Sequence, residues 1–197
     1  IVGTLEDGFN LNKQTTGSVV STELIAMSLS AIFFGSLVNK INISISSIVG
    51  SFAVISGYFI CAFINEIEIL RLVRAVSGVG SGLLIATGHR VLSASDNPER
   101  SYAAFTFLVS ITGACFLFLA GIVAEEGGYS SLFKTFGFTF LIIFPLTLFA
   151  KTKLDSDINQ QPGKSNPSKN KLFLIIILGV IFFAIPSGGM WAFVERL

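Results

Sequence analysis

The chain has 197 residues, 52% of them hydrophobic and only 13% charged, with a mean hydropathy of +0.77. Soluble globular chains carry about 25% charged residues, so this composition excludes an ordinary water-facing surface. A net charge of +1 argues against nucleic acid as a partner, and one His with two Cys argues against a metal centre or a disulfide framework.

The chain opens on Ile1 rather than Met and closes on Glu195-Arg196-Leu197 directly behind a hydrophobic run, so both ends read as cut and the sequence as a fragment. Residues 1–17 are expected outside the cytoplasm, with 5–17 reading as a polar loop. Hydrophobic stretches of about 19 to 24 residues follow, each long enough at about 1.5 Å per residue to cross a hydrocarbon core of about 30 Å. They predict membrane helices over 19–37, 45–64, 69–92, 102–124, 131–150 and 172–194. The runs are continuously apolar, whereas barrel strands would alternate over about ten residues.

The first stretch carries Glu23 about five residues from its start, and the third carries Arg74 at a matching position. Both lie about 8 Å below the surface, so an ion pair between them is an open reading beside separate structural roles. Arg71, one turn nearer the surface, is expected to contact headgroups, and His89 and Arg90 to close the far end of the same helix against lipid phosphates. Cys61 and Cys115 sit alone in apolar runs and are expected to be packing residues. Tyr58, Tyr129 and Trp191 are expected at membrane interfaces, and Lys134 either snorkels or lines a cavity. Pro145 and Pro186 interrupt backbone hydrogen bonding inside their stretches. The run Ile185-Pro186-Ser187-Gly188-Gly189 marks a candidate gating or binding interruption near a midplane.

Residues 151–171 differ from everything around them, holding five Lys, two Pro and no aromatic residue. Such a segment buries too little to fold alone and reads as a flexible linker. Lys40, Arg90, Arg100, Lys151, Lys153, Lys164, Lys169 and Lys171 share one side of the membrane, against Lys13, Arg71 and Lys134 on the other. The first side is therefore expected to be cytoplasmic.

In the third stretch, Leu70-Arg71-Leu72-Val73-Arg74-Ala75-Val76-Ser77-Gly78-Val79-Gly80-Ser81-Gly82 places Gly four, six and eight residues after Arg74. Gly78 and Gly82 fall on one helical face with Arg74 a turn away, a pattern that admits close approach of a neighbouring backbone. This segment resembles the fourth-helix motif of the major facilitator superfamily. More weakly, Gly35, Asn39, Lys40 and Asn42 resemble the family's loop between its second and third helices, with Asn39 replacing an acid, Lys40 an Arg, and Asn42 a turn Gly whose left-handed conformation Asn tolerates. The opening and closing segments are similar to bacterial members.

The resemblance implies an all-α fold: a polytopic bundle over 1–150 lacking its first helix, a cytoplasmic linker over 151–171, and over 172–197 the truncated first helix of a second bundle. It implies a secondary transporter in the bacterial inner membrane, moving a small solute by alternating access, with protons or another ion as coupling partner and the lipid bilayer as surroundings. Arg74 and Glu23 are then the candidates for substrate or proton coupling, Gly78, Gly80, Gly82 and Pro186 for packing or gating, and Gly35, Asn39 and Lys40 for the loop motif. No cofactor is expected, and no P-loop glycine run is present to drive transport by nucleotide hydrolysis. A non-transporting receptor or assembly protein built on the same bundle stays open. An enzyme fits poorly, because no carboxylate pair or Ser/His arrangement appears at catalytic spacing.

Overall fold

A computed structural model describes residues 8, 12–37, 40 and 42–158, with backbone alone at 13, 124–126 and 146–158. Its described residues form α1 (Lys13–Leu37), α2 (Ile43–Cys61), α3 (Ile67–Ser93) and α4 (Pro98–Ile158). Among the described residues, four stretches are long and apolar enough to cross a membrane: Gln14–Leu37, Ile43–Cys61, Ile67–Ser93 and Pro98–Val123. In hydrocarbon every backbone donor and acceptor must be satisfied within the protein, which is why uninterrupted apolar runs become helices.

Helix ends are set by local chemistry. The side chain of Asn12 accepts from the Thr15 N–H at 2.8 Å, so α1 starts well before the apolar run. Thr16, Ser18 and Thr22 then bond back to carbonyls of the preceding turn, which lets polar residues ride inside a helix. Asn42 caps α2 by accepting from the Ile45 N–H at 3.0 Å, with φ −69° and ψ 121°. It is thus an extended capping residue and not the left-handed turn residue expected at this position. Asn97 caps α4 in the same way, followed by Pro98 in the first turn, where a missing N–H costs nothing.

The backbone of α4 leaves helical geometry at Gly128, with φ 63° and ψ −160°. That region is open essentially to Gly alone. The rings of Phe116 and Phe136, on either side of the break, stack with centroids 5.6 Å apart. Along a straight helix they would be about 30 Å apart, so the chain doubles back at Gly128 into two limbs, 98–127 and 129–158. The second limb keeps helical dihedrals across Pro145 and continues to Ile158, into the stretch expected to be a flexible linker. A helix satisfies its own backbone and can run past the end of its apolar stretch. The expected span 172–194, with Pro186 and Trp191, lies outside the described residues.

Interhelical contacts order the bundle. Glu23 meets Arg74 and Ser30 meets Val79, so α1 and α3 run parallel. Gly57 lies against Ser77 and Gly50 against Leu84, so α2 is antiparallel to α3. Tyr58 meets Phe133, Phe136 and Phe140, and Ala62 accepts from Ser130, placing the second limb of α4 beside α2. Phe34, Ile43 and Arg90 line one shallow niche where α1 ends, α2 begins and α3 ends; this is the basic end of the bundle, carrying Lys40, His89, Arg90 and Arg100. Large apolar side chains on every helix, among them Ile32, Phe52, Leu72 and Phe118, remain exposed. Such a surface is a liability in water and is what a bilayer solvates.

Candidate functional site

Near the end opposite Lys40, α3 turns a face of Arg74, Gly78 and Gly82 toward α1. A Cβ added at Gly78 would stand 2.5 Å from the Glu23 carbonyl and 3.1 Å from the Ala26 Cβ; at Gly82 it would strike the Met27 carbonyl and lie 2.7 Å from the Ser30 Cβ. The glycines thus let the α1 backbone into contact, as small-residue packing requires in a medium that supplies no hydrophobic drive between helices. Ser30 fastens the contact by donating to the Val79 carbonyl at 2.7 Å. Gly80 lies on the other side of α3, where a Cβ would be 2.9 Å from the Gly50 carbonyl on α2. The three glycines therefore serve two interfaces.

This close approach delivers the Glu23 carboxylate to Arg74. Arg74 Nη2 donates to Glu23 Oε2, and both residues are buried, at 1% and 5% exposure. Desolvating two charges costs several kcal/mol each, which their mutual attraction offsets only when they meet directly. Removing one partner from such a pair costs about 3–5 kcal/mol, because the other charge is stranded. The Arg74 Cζ also lies 5.1 Å from the Tyr58 ring centroid and 5.5 Å from that of Phe133, bringing α2 and α4 to the same cation.

The neighbouring candidates separate from this centre. Arg71 donates to Glu68 Oε1 and to Ser18 Oγ, each at 2.8 Å, so it is held by protein groups where a headgroup contact was expected. Tyr58 is 1% exposed in the core, not at an interface, because Phe133, Phe136 and Phe140 enclose its ring. Tyr129 does sit near the end opposite Lys40, its hydroxyl 3.2 Å from Asn65 Oδ1. Lys134 places Nζ 5.2 Å from the Phe63 ring centroid. Cys61 is buried as expected, whereas Cys115 is exposed among the described residues.

At the basic end, the His89 ring stacks on Tyr102 at 5.6 Å and Arg90 lines the niche between the helix ends. Gly35 is exposed with nothing within 4 Å of an added Cβ, and Lys40 is exposed in the turn, its N–H donating to the Leu37 carbonyl at 2.8 Å. Neither belongs to the buried centre. Asn39 lies outside the described residues.

Sequence reasoning matched Glu23 to Arg74 by depth but assigned Tyr58 to an interface and did not single out Phe133. A count from helix ends puts both at a similar depth, since they stand close to the ends that face Glu23 and Arg74, but does not single them out among the other rings. Phe133, Phe136 and Phe140 also recur at helical spacing on one face.

Comparison with known proteins adds a family and a distant relative. The family model described as Major Facilitator Superfamily matches residues 1–196. The riboflavin transporter RibZ of Clostridioides difficile (strain 630) is 28% identical over 138 residues, which cover 66% of this chain. The match spans 29% of that transporter's length. No solved structure matches the chain.

Proposed function

The chain belongs to the major facilitator superfamily and is an integral membrane protein, and from that premise we propose that it forms part of a secondary transporter that moves a small solute by alternating access. In this reading residues 1–150 build one bundle, 151–171 link it on the cytoplasmic side of a bacterial inner membrane, and 172–197 begin a second bundle. The two bundles rock against each other around a site between them.

The observation that carries the reading is the buried Glu23–Arg74 pair joining α1 to α3. A charged pair is a poor choice if stability is the aim, since apolar residues of similar volume hold a bundle as well or better. Charges placed inside a membrane bundle mark ion and substrate pathways. Glu23 is the group that gains and loses a proton, and Arg74 is the cation released to an anionic group or held again when the proton leaves. Gly78, Gly80 and Gly82 keep α3 close to both neighbours while it moves.

Uptake into liposomes holding the complete protein tests this, with radiolabelled riboflavin as the first solute because the relative bears that name. Arg74→Ala should abolish uptake while the protein still reaches the membrane. Unchanged uptake in that variant would remove the pair from the mechanism.

A further inference from the structure

A carboxylate is not the sole means by which Arg74 is kept inside the bundle. Ring faces attract a guanidinium through their quadrupole, an interaction that strengthens on desolvation and is indifferent to any proton on Glu23. The Tyr58 and Phe133 rings at 5.1 Å and 5.5 Å from Arg74 Cζ are both 1% exposed. Neither is free to turn away. Tyr58 stacks on Phe140 at 5.4 Å and meets the edge of Phe136 at 5.8 Å, while Phe133 meets the Tyr129 ring at 6.4 Å.

We infer that Tyr58 and Phe133 are positioning residues: an aromatic cradle, supplied by α2 and α4, that holds Arg74 in the bundle during the part of the cycle in which the Glu23 carboxylate does not. This rests on the reading of the pair as the coupling element. Among the described residues the charged and titratable groups around Arg74 are Glu23 from α1 and Tyr58 and Cys61 from α2. From α4 it meets the Phe133 ring. Arg71 is turned to Glu68 and Ser18, and Lys134 to Phe63. With Glu23 neutral, the two rings still attract the guanidinium. Losing that attraction as well raises the cost of keeping the cation buried.

Thermal unfolding of the complete protein in detergent tests this without a solute, using Glu23→Gln, Tyr58→Leu and the two together. The double variant should lose about 5 °C more than the sum of the single losses, because only there does Arg74 lose the carboxylate and the Tyr58 ring face together. Tyr58→Phe keeps the ring face and should match the parent with or without Glu23→Gln. Phe133→Leu repeats the cycle from α4 and decides the matter if the first double variant does not fold. In an Arg74→Leu background both pairs should simply add. Additive losses with Arg74 present overturn the cradle, and so does a Tyr58→Phe protein that behaves like Tyr58→Leu. Uptake lost in Arg74→Ala together with additive melting sinks the cradle alone; uptake retained in Arg74→Ala sinks the coupling reading itself.

Discussion

Two interfaces meet at Arg74 and are built on opposite principles. Between α1 and α3 nearly everything bulky has been removed, so that Gly78 and Gly82 receive the backbone of Glu23 and Met27. Between α2 and the second limb of α4 the space is filled instead, with Tyr58, Phe133, Phe136 and Phe140 in one buried cluster. The first contact gains from backbone proximity, the Glu23–Arg74 pair and the hydrogen bonds of Ser30 and Arg71; the second gains from dispersion among large rings. Close backbone contact tolerates no added atom, whereas a ring cluster tolerates none removed.

That contrast can be broken from either side, and the aromatic side should respond most. Phe140→Ala should cost about 3 kcal/mol in reversible unfolding, because it opens a cavity under the Tyr58 ring. Gly82→Ala should cost about 2 kcal/mol, since its methyl meets the Met27 carbonyl, which cannot yield without moving α1. In the same assay Gly35→Ala should stabilise by about 0.5 kcal/mol, an exposed helical glycine with nothing near it. Equal effects at the two glycines would contradict the close α1–α3 contact. Ser30→Ala should be the mildest of the losses, at about 0.6 kcal/mol, the typical worth of a hydrogen bond between membrane helices.

Much of the fold was legible because a bilayer leaves so few options. Apolar runs located the helices to within a few residues at most ends. The misses were physical. Gln14, Thr15 and Thr16 look like loop residues, yet α1 includes them because Asn12 caps the helix and hydroxyls bond back along it. Lys151 and Lys153 looked like linker, but helix continues through them to Ile158, since polar residues end a membrane span without ending a helix. At the site, Glu23 and Arg74 were visible because charge is rare in such runs. Tyr58 and Phe133 were not, being two aromatic residues among many, and their role exists only once α2 and α4 are brought together. Asn42 was misread for a different reason: a residue at home in both turns and caps does not announce which it serves.

Gly128 bears on how sidedness can be measured at all. The chain reverses there with a single residue outside helical geometry, and the residues just past it are bonded to the turn between α2 and α3, Ser130 to the Ala62 carbonyl and Tyr129 to Asn65. An epitope inserted at this reversal would pry several helix ends apart and report on a damaged protein. The turn at 94–97 offers slack instead, with Asp96 exposed between α3 and α4. A tag placed after Asp96 leaves the glycine reversal intact and reads directly which compartment receives the basic end of the bundle.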